Sequence, residues 1–187
     1  MKIIKKVSDF RDLLSNAQGP IGLVPTMGAL HEGHVALLKK ARADCTTVVA
    51  SIFVNPTQFN VKDDYLNYPK NPYQDIEIME GQRVDIIFNP ELEEIYPKSY
   101  TTTVNVKNLS NRLEGASRPH FFSGVTTIVS KLFNLVHPSH AFFGKKDIQQ
   151  LVIIKNMVYS LNYNIKVVGC ETIREKSGLA MSSRNAA

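Results

Sequence analysis

A chain of 187 residues with 43% hydrophobic and 21% charged side chains is long enough to bury one sizeable core and too apolar to be disordered. Its net charge of +5 admits an anionic ligand, but the lysines and arginines are scattered, with no run longer than Lys5-Lys6, Lys39-Lys40 or Lys145-Lys146, which speaks against a nucleic-acid surface. No apolar stretch approaches the roughly 18 residues that cross a bilayer, and no apolar signal core follows the basic start MKIIKKVSDF, so a cytoplasmic protein with no membrane contact is expected.

In chain order, Ser8 can cap a helix running to about Ala17. The strand-like run Ile21–Val24 then leads through Pro25-Thr26-Met27-Gly28 into a helical pattern from Gly33 to Ala43, with apolar residues at Val35, Leu37, Leu38 and Ala41. The β-branched stretch 46–54 is a second strand, and Pro72 suits the first turn of a helix reaching about Gln82. Residues 84–88 and 101–106 (TTTVNV) read as strands, Val125 to Val136 as a helix, 140–144 as a strand, Asp147 to Leu161 as a helix and 165–170 as a strand. Strands alternating with such helices predict βαβ units in one α/β domain: a doubly wound, mostly parallel sheet with helices on both faces. Cys45 and Cys170 each adjoin an apolar run and read as buried free thiols. Ligands of such sheets sit at the carboxyl ends of the strands, at the point where strand order reverses.

That is where His31-Glu32-Gly33-His34 falls. Residues three apart share a helix face, so both histidines can point at whatever lies over the helix start, where unpaired backbone N–H groups favour a phosphate. Gly28 and Gly33 permit close backbone approach. Two imidazoles there can donate hydrogen bonds to an α-phosphate as charge builds on it. Zinc-binding helices place histidines four apart, in H-E-x-x-H, and no third ligand stands nearby. Histidines that merely cap or pack the helix start are the structural alternative. Three further segments carry suitable chemistry, each with a plainer reading. Asn55-Pro56-Thr57-Gln58-Phe59 offers amides for hydroxyls or a carboxylate, or is a turn. Gly144-Lys145-Lys146-Asp147 is a second strand-to-helix phosphate position, or a solvated cationic helix start. Met181-Ser182-Ser183-Arg184 offers two hydroxyls and a guanidinium to a polyphosphate, or is a polar tail.

Taken together, PTMGALHEGH, FVNPTQF, SKLFNLVHPSHAFFGKKDIQQL and REKSGLAMSSRN resemble the pantothenate synthetase (pantoate–β-alanine ligase) family of HxGH nucleotidyltransferases, from near residue 3 to the last residues. The resemblance implies a Rossmann-like domain similar to that of class I aminoacyl-tRNA synthetases, with MSSR as its second, KMSKS-like signature. It implies that ATP, with Mg²⁺, activates pantoate as an adenylate that β-alanine then converts to pantothenate. It places Met27, Gly28, Ala29, Leu30, His31, Glu32, Gly33 and His34 on ATP, with His34 as proton donor and His31 beside it at the phosphates. Gly144, Lys145, Lys146 and Asp147 would contact nucleotide, with Lys146 as a third catalytic residue on the phosphates. Ile173 would offer backbone to adenine, and Met181, Ser182, Ser183 and Arg184 would close on the β- and γ-phosphates. Gln58 would bind pantoate and adjoin β-alanine, and Gln150 would bind pantoate. Asp75 would stand near Mg²⁺, unless it is an exposed helix acid.

The family's GEKD is GKKD here, so Lys145 is expected to add positive charge beside ATP. Its RPGHF is Arg118-Pro119-His120-Phe121-Phe122, with Phe121 in the histidine slot and no role assigned to His120. Members run about a hundred residues longer, so residues 1–174 read as the catalytic domain. Residues 175–187 then lead to a C-terminal domain outside this chain, and Ala186-Ala187 reads as a boundary. The chain is expected to form a homodimer and to turn over poorly alone. A nucleotidyltransferase acting on a phosphorylated small molecule, or a nucleic-acid-binding module of the same ancestry, are the rival readings.

Overall fold

The computed structural model describes residues 1–15, 17 and 19–186, the last as backbone alone. Strand β1 (Lys2–Ile4) and helix α1 (Val7–Leu14) precede β2 (Ile21–Thr26), α2 (Glu32–Asp44) and β3 (Thr47–Ile52). Two helices, α3 (Lys62–Leu66) and α4 (Pro72–Gly81), lead to β4 (Ile86–Phe88). Helices α5 (Leu92–Ile95), α6 (Glu114–Ser117) and α7 (Phe121–Val136) follow, then β5 (His140–Gly144), α8 (Ile148–Ser160) and β6 (Lys166–Cys170).

All six strands are parallel, in the order β1-β4-β3-β2-β5-β6. The chain therefore steps outward from β2 through β3 to β4, then returns to the other side of β2 for β5 and β6, as a Rossmann-like sheet does. Pairing shapes the reversal point. Six residue pairs join β2 to β3, from Ile21↔Thr47 to Thr26↔Ile52, whereas β2 and β5 pair only at Gly22↔His140 and Leu23↔Ala141. Beyond Leu23 the two carboxyl ends part, and a cleft opens between them.

Successive strand residues enter opposite faces of the sheet. Leu23, Val49 and Ala141 pack with α1, α7 and α8 through Phe10, Phe133 and Ile154. Val24, Ala50 and Phe142 pack instead with α2 and α4 through Leu38, Ala41 and Met79. Cys45 is buried and Cys170 half-buried, and both are thiols. The doubly wound expectation holds.

Two local expectations fail for identifiable reasons. Residues 101–106 form no strand, because the Val104 N–H donates to Thr127 Oγ1 (2.9 Å) and the Val104 carbonyl accepts from Thr126 Oγ1 (2.6 Å). Two hydroxyls on α7 thus hold a backbone that has no neighbouring strand. Ser8 does not cap α1; the N-cap is Lys6, and the Val7 N–H donates to Glu94 Oε2 of α5 at 2.8 Å. The predicted run of α1 toward Ala17 crosses Asn16, which lies outside the described residues. Strand β1 went unpredicted, as three residues carry little periodicity.

Candidate functional site

The turn after β2 is wound around a buried carboxylate. Thr26 Oγ1 donates to the Ser51 carbonyl at 2.6 Å and accepts from the Gly28 N–H at 3.3 Å. Gly28 (φ +82°) and Ala29 (φ 51°) then adopt left-handed backbone, the geometry for which glycine carries little penalty. Asp75, 2% exposed on α4, receives Ala29 N–H on Oδ2 (2.9 Å) and Leu30 N–H on Oδ1 (2.7 Å). A Cβ on Gly28 would lie 2.9 Å from Asp75 Oδ2. Asp75 is therefore not an exposed helix acid, and both oxygens expected near Mg²⁺ are already held by the turn.

His31 and His34 cap α2 reciprocally. His31 Nδ1 accepts the Gly33 N–H at 3.0 Å, and His34 Nδ1 accepts the His31 N–H at 3.2 Å. The rings lie 4.2 Å apart, centroid to centroid. A ring that accepts at Nδ1 while neutral must carry its proton on Nε2, so each can donate through Nε2. Burial is the largest cause that lowers the pKa of His31, followed by the charge of Lys146. Burial first, then His31 and Lys146, brings His34 down to about 3. At neutral pH the His34 ring is thus uncharged. The capping bonds, one of the two alternatives in the sequence, engage the Nδ1 edge of each ring. A Cβ on Gly33 would stand 2.7 Å from His31 Cε1, which is why a glycine lies between them.

These rings line a cleft of about 430 Å³ over the parted ends of β2 and β5. Of the expected residues, Met27, His31, Gly33, His34, Gln58, Gly144, Lys146, Asp147, Gln150, Ile173 and Met181 to Arg184 line it. Gly28, Ala29, Leu30, Glu32, Lys145 and Asp75 are not in its wall. Lys145 pairs with Glu171, so the charge expected beside ATP is neutralised at the rim. Lys146 Nζ is 3.5 Å from Asp147.

Asn55 lies in the cleft wall with its amide engaged by protein partners. Buried at 1% exposure, its Nδ2 donates to Gln58 Oε1 (3.1 Å) and the Gly124 carbonyl (3.1 Å). Its Oδ1 accepts from Thr57 Oγ1 (2.9 Å) and Tyr96 OH (2.8 Å). Burial pushes the Tyr96 phenol up to about 12, so it stays a donor. Gln58 is thereby fixed by its oxygen, and its Nε2 lies 3.2 Å from Met27 Sδ. Gln149 and Gln150 divide their work. Gln150 lines the cleft, while Gln149 Nε2 holds the Leu109 (3.1 Å) and Arg112 (2.6 Å) carbonyls.

The last segment docks on the turn. Ser183 Oγ donates to the Ala29 carbonyl at 2.9 Å, and Arg184 forks onto Asp64 at 3.0 Å while lying 5.4 Å from the Tyr68 ring. Met181 N–H donates to the Ile173 carbonyl at 3.0 Å. Sequence reasoning missed Arg118, whose Nη1 meets Glu114 Oε1 at 2.7 Å and whose Nη2 donates to the Gln58 carbonyl at 3.2 Å. Its guanidinium lies 3.8 Å over Phe121, which is buried in the cleft wall, whereas His120 is exposed. An arginine three residues before a phenylalanine carries no signal of this stacking. Among the described residues no group of three or more His, Cys, Asp or Glu could hold a metal.

Sheet and cleft together define an α/β protein of the Rossmann-like class with a small-molecule site at its switch point. Within that class, the chain belongs to the pantoate-beta-alanine ligase family, whose sequence model matches residues 2–187. A curated pantothenate synthetase from Desulfitobacterium hafniense is 52% identical over 188 residues, spanning 99% of this chain and 67% of its own. The crystal structure of pantothenate synthetase from Thermus thermophilus superposes with a TM-score of 0.96 at 45% identity, over 100% of this chain and 67% of that one. A crystal structure of pantoate-beta-alanine ligase from Francisella tularensis, complexed with beta-gamma ATP and beta-alanine, gives 0.96 at 43% identity, over 100% and 72%. The chain thus spans about two thirds of the length of these relatives.

Proposed function

We propose that this chain performs the family's ligation, joining (R)-pantoate to β-alanine with conversion of ATP to AMP and pyrophosphate through a pantoyl adenylate. A pantoate carboxylate oxygen attacks the α-phosphorus, and the bond from that phosphorus to the β-bridging oxygen breaks, releasing pyrophosphate. The amine of β-alanine then attacks the acyl carbon, the bond from that carbon to the AMP oxygen breaks, and the nitrogen loses a proton. The carrying observation is the reciprocal cap: with both Nδ1 atoms on backbone, His31 and His34 keep Nε2–H donors for the phosphates of a ligand in the cleft they line. Lys146 supplies the point charge there, and Gly144 and Asp147 border the phosphates. Gln58 and Gln150 bind pantoate, with β-alanine beside Gln58. Ile173 meets adenine through its N–H, its carbonyl being engaged by Met181.

Met181 to Arg184 serve the β- and γ-phosphates, which requires Arg184 to leave Asp64. Gly28, Ala29, Leu30 and Glu32 act behind the wall by shaping the turn. Mg²⁺, if bound with the nucleotide, would supply charge neutralisation to the phosphates, and Asp75, whose two oxygens are held by the turn, would not be its ligand. The protein works as a cytoplasmic homodimer, which light scattering tests. The deciding assay measures ATP consumption with AMP as product. Turnover is expected only when pantoate and β-alanine are both present, and pantoate alone is expected to support pyrophosphate exchange into ATP. Exchange that instead requires a phosphorylated substrate overturns this reading in favour of a nucleotidyltransferase.

A further inference from the structure

Gln58 enters the cleft with one end of its amide already engaged. Its Oε1 accepts from Asn55 Nδ2 at 3.1 Å, so Nε2 is what remains to meet a substrate oxygen. That nitrogen lies 3.2 Å from Met27 Sδ. A thioether sulfur is a weak acceptor, so a pantoate oxygen takes the amide from it at little cost. A stronger acceptor at the same place would hold the amide back.

Met27 is placed to become one. It is half-buried and stands in the wall of two cavities: the cleft, and a smaller one of about 310 Å³ behind the turn, bordered by Gly28 and Asp75. A small oxidant can therefore approach from either side. The other sulfur groups are placed differently. Met79 and Met157 are sealed, Met1 is exposed at the start of the chain, and Met181 joins the cleft wall through a segment whose backbone N–H is held by Ile173. Burial raises the pKa of both Cys45 and Cys170 and so keeps them as thiols of low reactivity.

The oxidant is a hydroperoxide. Its terminal oxygen is attacked by the sulfur lone pair, the S–O bond forms as the O–O bond breaks, and the proton of the transferred oxygen passes to the departing oxygen. Hydrogen peroxide thus leaves as water. The product sulfoxide is polar, and its oxygen is a far better acceptor than the sulfur it caps.

Resting on the ligase reading above, we infer that Met27 is a site of reversible oxidation, and that its sulfoxide oxygen captures Gln58 Nε2 and withholds it from pantoate. Hydrogen peroxide is the probe, peptide mass maps locate each added oxygen, and pantoate-dependent pyrophosphate exchange is followed on the same samples. One oxygen on Met27 accompanies a fall in kcat/KM for pantoate of roughly 10- to 100-fold, the worth of a hydrogen bond to a charged group. The KM for ATP changes less than about threefold. Methionine sulfoxide reductases A and B with a dithiol restore both the thioether and the exchange rate.

Variants are each compared with their own untreated rate. Met27→Leu loses the sensitivity and Met181→Leu keeps it. In Gln58→Ala, which has no amide to capture, oxidation of Met27 lowers the residual pantoate use by less than about threefold. An equal fractional loss in Gln58→Ala overturns the inference, as does a loss that follows oxygen on Met181 or either cysteine. A Met27 that stays a thioether under peroxide, or a rate that stays low once its thioether is restored, overturns it as well. Absence of exchange before any oxidant is added instead overturns the ligase reading, and this inference with it.

Discussion

A Cβ at Gly33 would stand 2.9 Å from His31 Nδ1 as well as 2.7 Å from Cε1. Gly33→Ala must therefore push the His31 ring off its cap, at about 1 kcal/mol of stability and about 3 °C in Tm for a domain of this size. Adenylate formation should fall at least about tenfold because Nε2 moves with the ring, and a thermal melt with an exchange assay on one sample checks both. His34 makes a second prediction. Its pKa is depressed from the ordinary 6.5 to about 3, so below pH 6.5 the unfolded chain takes up a proton that the folded chain refuses. Stability from this group is fully present above pH 6.5 and declines as pH falls toward 3, by roughly 3 kcal/mol at about pH 4. Denaturant titrations across that range should show a shallower decline in His34→Gln. Both histidines were legible as a pair at a helix start. Their tautomer was not, because it depends on which backbone N–H each ring meets.

Around Asp75 an element of one layer sets the backbone of another, since a carboxylate on α4 receives two N–H groups from the turn between β2 and α2. Asp75→Asn turns one acceptor into an NH₂ group facing a donor. The expected cost is roughly 2 kcal/mol, with weaker ATP binding measurable by calorimetry, since the same turn carries His31 and the Ala29 carbonyl that Ser183 uses. No local pattern announces this contact, because 46 residues separate the partners. The alternation of strands and helices was legible, since apolar periodicity is written within each segment. Residues 101–106 mislead for the converse reason: a β-branched run looks the same whether a strand or two threonine hydroxyls satisfy its backbone.

Over the whole molecule, one departure from continuous pairing opens the cleft: β2 and β5 stop pairing at Leu23 and Ala141. A ligand filling the space between them binds the folded chain and not the unfolded one. ATP at about a hundred times its Kd should therefore stabilise by roughly 2.7 kcal/mol, raising Tm by about 5 to 10 °C. Calorimetric scans with and without nucleotide check this, and β-alanine alone should give a much smaller shift. The sheet order was implied by the sequence only as far as a doubly wound topology; where its strands diverge depends on packing across both faces.

The mutual cap of His31 and His34 also alters how the start of α2 meets solvent. Amides in the first turn of a helix have no carbonyl of their own helix to receive them, and ordinarily trade hydrogen for deuterium fastest. Here those of His31 and Gly33 sit behind imidazole nitrogens, so slow isotope exchange at these two positions would report, without any ligand, that the rings are already aimed.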